Sequence, residues 1–184
     1  MPKTVNLAER DRLVSEAAWR VMVRDGLTAL SVRNVAAEAG LPPSSLRYTF
    51  PTQASVRDSA VALLVARMAE RVARHHDGAD EARDILLELL PLDDERRIEM
   101  EVSLALGAMA ATDRALWQAH QRTHIAVRDA CARAIALLGV DAREVAGTHA
   151  LIDGLALHLV RQSPDVGDDW ALDALDAHLS RLPR

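Results

Sequence analysis

The sequence predicts an all-α protein of about nine helices, in which a small N-terminal helix-turn-helix domain precedes a C-terminal helical bundle. Alanine and leucine, both strong helix formers, supply much of the 49% hydrophobic content. Strand-favouring runs of Val, Ile, Thr and aromatic residues are missing from the sequence. The aromatic residues are few, namely Trp19, Tyr48, Phe50, Trp117 and Trp170. We therefore expect a core packed mainly by the aliphatic side chains of helices.

The first two helices are marked by residues that favour helix ends. Asn6 and Glu9 have the spacing of a capping box, which predicts that the first helix begins there. Apolar residues then recur at helical spacing up to Gly26, which can adopt the left-handed conformation that ends a helix. Ser31 is suited to cap a second, short helix, and Gly40 is suited to end it.

Proline positions delimit the third helix. Pro43 suits the first turn of a helix and Pro51 closes it, so a helix is predicted over residues 43–50. Thr52 can cap a long amphipathic fourth helix that ends near His75. Apolar periodicity and chain breaks predict five more helices, at about 80–90, 93–111, 113–138, 141–163 and 168–182. We place the domain boundary before the fourth helix, which gives domains of residues 1–51 and 52–184.

The second and third helices have the residues that a helix-turn-helix needs. Ala36 is a small residue at the position where the second helix of the motif would cross the first. Gly40 allows a positive φ in the turn. Leu46 can anchor the third helix to the core. That helix would then lie in the major groove of DNA. A solvated helical hairpin with ordinary polar faces is the alternative interpretation.

Several polar side chains of this region are suited to contact DNA. Hydroxyls can reach phosphates or base edges, and Arg47 can bind guanine or a phosphate through two hydrogen bonds. Residues 1–50 carry seven basic and five acidic side chains, whereas residues 51–184 carry fifteen and twenty-two, so the positive charge is at one end. The candidate DNA-binding residues are Ser31, Val32, Arg33, Pro43, Ser44, Ser45, Arg47, Tyr48, Thr49 and Gln53.

Residues 36–53, AAEAGLPPSSLRYTFPTQ, resemble the N-terminal signature of the tetracycline-repressor (TetR) family. The preceding Ala17-Ala18, Gly26 and residues 31–36 are similar to that family as well. The resemblance implies a nine-helix, two-domain homodimer in which the first three helices bind DNA and the remainder binds a small inducer. It is specific over residues 10–60 and extends to the rest only as a layout of helices.

Two residues depart from the pattern of the family. Arg47 stands where the family usually has tyrosine, although a subgroup shares the arginine. Gln53 stands where the family usually has lysine, close to the DNA backbone. The loss of that charge is expected to weaken salt-dependent binding by about one phosphate contact.

A homodimer interface is predicted on the eighth and ninth helices. Residues 150–160 resemble the eighth helix of the family, and Gly147 and Gly154 lie seven residues apart on one face, which favours a close approach of helices. Pairing these helices across a two-fold axis would make a four-helix interface. The candidate interface residues are Gly147, Leu151, Gly154, Leu155, His158, Leu172, Leu175 and Leu179. The alternative is that both helices only close the core of the protomer.

A small-molecule pocket is predicted among helices five to seven and the fourth helix. Met and Trp side chains among many alanines can line an adaptable apolar cavity. The candidate ligand-binding residues are Met68, Met100, Leu104, Met109, Trp117, His120 and His124. Each of them could instead be an ordinary core residue.

His120 and His124 share a helix face and could begin a metal site. Two ligands do not make a site, and His149 or Asp153 would have to converge on them. We therefore favour a solvated or pocket-lining pair, and we predict neither a metal nor a cofactor.

Other functional classes lack their signatures. No Gly-rich phosphate loop, nucleophile elbow or Cys/His metal framework is present, so we expect no enzyme. The single Cys131 excludes an internal disulfide, and no apolar run approaches the roughly 20 residues that span a bilayer. We expect a cytoplasmic regulator, a repressor that binds a palindromic operator as a dimer and is released by an inducer. The alternatives are a metal-responsive regulator of the same fold and a ligand- or partner-binding helical dimer without DNA binding.

Overall fold

A computed structural model of the protein describes residues 7–47, 49–75, 80–163 and 165–183, with the side chains of Leu7, Ala8 and Ala115 outside the description. The predicted all-α fold is confirmed, since the described residues form nine α-helices and no strand. The helices are α1 (Leu7–Asp25), α2 (Val32–Glu38), α3 (Pro43–Leu46), α4 (Gln53–Ala73), α5 (Glu81–Leu87), α6 (Asp94–Ala110), α7 (Arg114–Leu137), α8 (Val145–Arg161) and α9 (Asp169–Arg181). Short 3₁₀ turns cover Leu27–Ala29 and Ala142–Glu144.

The third helix is shorter than the sequence predicts. It was expected over residues 43–50, but α3 ends at Leu46 and the chain continues in a tighter turn, in which the Thr49 amide donates to the Leu46 carbonyl at 3.1 Å. The physical reason is Pro51, which disfavours a helical conformation at the preceding residue and leaves the final turn without α-helical continuation. The predicted start of the first helix at Asn6 lies outside the described residues.

The chain divides into two compact units, which we call the head unit and the body unit. The head unit contains the described residues up to Val65 together with Leu104–His120, and the body unit contains Ala66–Ser103 and the described residues from Gln121 onward. The predicted domain boundary after residue 51 falls within the head unit. The reason is that the start of α4 packs with α1, where the hydroxyls of Ser15 and Ser59 lie 2.6 Å apart.

Small aliphatic side chains fill the core of the head unit. The fully buried residues of its first four helices and of the turn between α1 and α2 include Ala17, Ala18, Val21, Leu30, Val35, Ala36, Leu46, Val56 and Ala60. Four of these are alanines, so the helices can approach closely. This compact core positions the helix-turn-helix.

A larger apolar cluster, built from α4, α5, α7, α8 and α9, forms the core of the body unit. Its fully buried members include Ile85, Leu86, Leu90, Ala134, Leu159, Ala171 and Leu175. The cluster also buries Cys131, and this burial raises the pKa of the thiol to about 12, so the group stays protonated at neutral pH. Within the described part of the chain, no helix is both long and apolar enough to cross a membrane.

Candidate nucleic-acid interface

The N-terminus of α2 is capped as the sequence predicts. The Ser31 hydroxyl accepts from the amide of Asn34 at 3.1 Å. The Asn34 side chain in turn donates to the Ala29 carbonyl at 2.8 Å, which holds the preceding 3₁₀ turn against the helix. Val32 is half-buried and Arg33 is exposed at this end of the helix. Ser31 therefore has a structural role in addition to any contact with DNA.

The turn between α2 and α3 has the geometry of a helix-turn-helix corner. Gly40 adopts φ +66°, which an L side chain rarely adopts, and the Leu41 amide donates to the Ala36 carbonyl at 2.9 Å. Ala36 is fully buried where the two helices meet, and Leu46 anchors α3 with only 1% of its surface exposed. All three predicted requirements of the corner are met.

The outer face of α3 presents short polar groups and one cation to solvent. Pro43, Ser44, Arg47 and Thr49 are exposed, and they flank the buried Leu46. Arg33 and Arg47 make no ion pair with any residue that the structure describes, so both guanidinium groups can bind an anion. The predicted contact at Tyr48 lies outside the described residues.

Ser45 is more constrained than its neighbours. It is half-buried, and its hydroxyl donates to the Pro42 carbonyl at 2.8 Å. Its own carbonyl accepts a hydrogen bond from the Arg10 guanidinium of α1. The sequence analysis did not identify Arg10, because only the packing of α1 against α3 brings the two residues together.

The N-terminus of α4 carries a reciprocal cap. The Ser55 amide donates to the Thr52 hydroxyl at 3.1 Å, and the Thr52 amide donates to the Ser55 hydroxyl at 3.2 Å. The predicted cap at Thr52 is confirmed, and the Thr-x-x-Ser spacing is the signal that could have identified its partner. Gln53 is exposed at the first position of the helix.

An ion-pair cluster joins the end of α1 to α2. Glu38 accepts from Arg20 at 2.7 Å and from Arg24 at 2.8 Å. These two hydrogen bonds lower the pKa of the Glu38 carboxyl, so it stays ionised well into the acidic range. Glu38 is the one acidic side chain of α2. Because two arginines neutralise its charge, it repels DNA phosphates less than an unpaired carboxylate would.

The predicted interface residues divide into an exposed group and a buried group. Gly147 and His158 are exposed, and a Cβ added at Gly147 or Gly154 would meet no atom within 4 Å, so this face of α8 is open to a partner. Leu151, Leu172 and Leu179 are half-buried beside it. Two of the predicted residues, Leu155 and Leu175, are instead buried in the core of the protomer, because they lie on the faces of α8 and α9 that point into the body unit.

Two polar contacts fix this region. The Thr148 hydroxyl and His178 Nε2 lie 2.9 Å apart and join α8 to α9. Near the end of α8, the Trp170 indole donates to the Gln162 side chain at 2.8 Å and its ring stands edge-on to His158 at 6.4 Å. An open groove of about 480 Å³ is lined there by His158, Arg161, Gln162, Val166 and Trp170.

The predicted ligand-binding residues are distributed over both units. In the body unit, Met68 and Met100 are half-buried against the apolar core. In the head unit, Leu104 and Met109 are half-buried, and the Trp117 and His120 rings lie 6.0 Å apart. Trp117 exposes 50% of its surface. The seven residues therefore remain a prediction.

Each histidine of the predicted pair lies against a different helix. His120 belongs to the head unit, where the ring fits against Gly107, and a Cβ on that glycine would approach it to 3.2 Å. His124 instead meets His149 of α8, with ring centroids 4.6 Å apart, and Asp153 lies beside them. The sequence could only name these as residues that would have to converge, because the rotation of α7 against α8 is a tertiary property.

Comparison with known proteins gives one consistent result. Residues 78–184 match the family model described as the C-terminal domain of BetI-type TetR transcriptional repressors. Over 99% of its length, the chain is 32% identical to the HTH-type transcriptional regulator PksA of Bacillus subtilis (strain 168), of which it covers 94%.

Two solved structures extend this similarity to the whole fold. A transcriptional regulator from Rhodococcus sp. Rha1 is 26% identical, with a TM-score of 0.75, over 94% of this chain and 95% of that one. The multidrug binding protein EbrR, in complex with imidazole, is 27% identical with a TM-score of 0.71, over 100% and 95% of the two chains.

Proposed function

This chain belongs to the TetR family of transcriptional regulators, and from that membership we propose that it binds a palindromic operator as a homodimer and releases it when a small molecule binds. The protein is a regulator and not an enzyme, like the relatives described above. Neither alternative, a metal-responsive regulator or a helical dimer without DNA binding, is favoured as the main function by these relatives.

The observation that carries the proposal is the exposed face of α3. Ser44, Arg47 and Thr49 surround a residue that is buried in the head unit, so the face is rigidly presented while its polar groups remain in solvent. Hydroxyls and a guanidinium are the groups that read phosphates and the guanine edge in the major groove. We infer that Ser31, Val32, Arg33, Pro43, Ser45, Tyr48 and Gln53 contact the flanking backbone.

Pairing through α8 and α9 would supply the second half of the operator contact. A dimer reads successive major grooves when its two recognition helices lie roughly 34–36 Å apart. The open face at Gly147, Gly154 and His158 supports this pairing, since glycines there let two helices approach closely. Repression would follow where the operator overlaps a promoter. Since its target is DNA, we propose that the protein acts in the cytoplasm.

Release by a ligand would follow from a shift between two conformations. A molecule that binds better to a state with misplaced recognition helices lowers operator affinity by the ratio of its two affinities. EbrR is a multidrug binding protein that holds imidazole, and its similarity over the whole chain supports a small organic ligand here. The seven candidate pocket residues are the first to test by substitution.

The test is an operator-binding experiment with one matched control. Duplexes that tile the DNA upstream of the gene are first screened with the wild-type protein. Arg47→Ala should then weaken binding of the shifted duplex by about 10- to 100-fold, the cost of one guanine or phosphate contact. Arg143→Ala removes an equally exposed arginine from the body unit and should leave the affinity unchanged.

Both variants should have the same mass in solution as the wild-type dimer. If Arg47→Ala bound the duplex as tightly as the wild type, the assignment of α3 as the recognition helix would be wrong. A wild-type protein that shifted no duplex would contradict the proposal as a whole.

A further inference from the structure

Three side chains with metal-binding atoms converge where α7 packs against α8 in the body unit. His124, His149 and Asp153 each offer one ligand atom, and these three atoms lie within 4.8 Å of one another. His149 and Asp153 are one helical turn apart on α8, with Nε2 of the histidine 3.5 Å from Oδ2 of the aspartate. His124 completes the cluster from α7, its ring tilted against that of His149.

His149 is the buried member of this cluster, and one of its ring nitrogens lacks a hydrogen bond. Only 8% of its side chain is exposed, yet its buried Nε2 makes no hydrogen bond with any of the described residues. An unsatisfied buried polar atom costs free energy that proteins generally avoid.

We propose that His124, His149 and Asp153 bind a divalent transition-metal ion of the Zn²⁺ class, which bridges α7 and α8. Two imidazoles and one carboxylate form a ligand set that zinc accepts, with bonds of roughly 2.0–2.2 Å and the fourth position open to water. Ligand atoms around a tetrahedral ion of that size are separated by roughly 3.3 Å. The exposed side chains of His124 and Asp153 can close the remaining distance by rotation, while the buried His149 stays in place.

The surrounding charges set the expected strength of the site. Arg128 lies one turn beyond His124 on α7 and lowers the pKa of His149, so it also repels a cation at this position. Cys131 is two turns along the same helix, but it is buried in the apolar core and is not one of the three converging side chains. Asp153 therefore supplies the one negative charge of the ligand set, and we expect moderate affinity.

The site lies apart from the face of α8 that we assign to the dimer. At 100° per residue, His149 and Asp153 are at least roughly 120° around the helix from Gly147 and His158. Dimer formation through that face therefore leaves the exposed Asp153 accessible to a metal ion. Binding of the metal ion would fix α7 to α8 within each body unit. The metal ion would bind in addition to any organic ligand and would not replace it.

The experiment is a titration of the full-length, tag-free protein with ZnCl₂ in competition with a chromogenic chelator. We expect one ion per protomer. Zn²⁺ at a concentration 100-fold above its Kd should raise the Tm by roughly 5–10 °C. Co²⁺ in its place should give the visible absorption bands of a low-symmetry site with nitrogen and oxygen ligands.

Four variants define the site. Asp153→Asn and His124→Gln change exposed side chains, so they should keep the fold and weaken Zn²⁺ binding by at least about tenfold. Arg128→Gln should tighten binding by about two- to fivefold, because it removes the nearby positive charge. Asp173→Asn removes an exposed carboxylate of α9, away from the three ligands, and should leave the affinity unchanged.

Two results would overturn the proposal. One is the absence of saturable binding by the wild-type protein. The other is equal affinity in the wild type, Asp153→Asn and His124→Gln, which would assign the binding to surface histidines in general. Since no arm of the experiment involves DNA, its failure leaves the proposed operator binding untouched.

Discussion

The head unit and the body unit are stabilised by different kinds of interaction. In the head, Ser31, Gly40 and Pro51 define the helix ends, and each acts on residues within a few positions in the chain. In the body, ion pairs connect distant segments, such as Arg71 with Glu99. The ends of α2 and α3 are thus defined mainly by nearby residues, whereas the ion pairs of the body form only when distant segments of the chain come together.

Among the described residues of the body, Arg71, Arg97 and Arg133 make partly buried contacts to distant segments. Arg71 bonds both oxygens of Glu99, at 3.1 and 2.6 Å. Arg133 reaches Glu81 at 2.6 Å, and Arg97 donates to the Leu159 carbonyl at 3.0 Å. Burial opposes the charge of Arg71, but Glu99 more than compensates and the pKa of the guanidinium is raised. Loss of such a pair is expected to be more costly than loss of a local cap in the head.

The largest expected effect is therefore in the body. Glu99→Ala should lower the free energy of unfolding by about 3 kcal/mol, because it removes the carboxylate that bonds the partly buried Arg71 through both oxygens and leaves it the more distant contact to Glu88. Chemical denaturation at fixed protomer concentration measures the change. Glu101→Ala removes an exposed carboxylate of the same helix and should alter stability by less than about 0.5 kcal/mol. Equal effects of the two variants would remove the contrast between body and head.

A smaller effect is expected for the cap of α2. Ser31→Ala should cost about 1 kcal/mol of stability, because the amide of Asn34 loses its acceptor. Ser44→Ala in the same motif changes an exposed hydroxyl, so it should leave stability unchanged while weakening operator binding. Thermal unfolding and operator titration of the two variants would separate the structural serine from the DNA-reading one. Identical melting curves for Ser31→Ala and the wild type would contradict the role of the cap.

The smallest expected effect is a gain of affinity. Gln53→Lys restores the cation that the family usually carries at the N-terminus of α4, and it should tighten operator binding by about three- to fivefold at moderate salt. The slope of log affinity against log salt should become steeper by about 0.9. Gln118→Lys adds the same charge at an exposed position of α7 and serves as the control. A salt slope that is the same in the wild type and Gln53→Lys would place Gln53 away from the DNA backbone.

The accuracy of the sequence-based prediction follows the same division. Ser31, Gly40 and Thr52 could be assigned because capping and positive φ depend on nearby residues alone. The end of α3 was wrong by four residues: Pro51 disfavours a helical Phe50, and the tighter turn from Leu46 to Thr49 shortens the helix further.

Contacts between helices were beyond the sequence. Leu155 faces the core and Gly154 does not, yet both belong to one apolar stretch, because the rotation of α8 is set by its neighbours. The same rotation brings His124 against His149. Periodicity identifies the faces of a helix, but the packing of the body decides which face is buried.

The central claim is that two copies of the head unit read one symmetric DNA site, and selection of bound duplexes from a random DNA pool tests it most directly. We predict enrichment of an inverted repeat whose half-sites are related by the symmetry of the dimer, and loss of that enrichment with Arg47→Ala. Enrichment of a single, non-repeated half-site, or of no sequence at all, would contradict it.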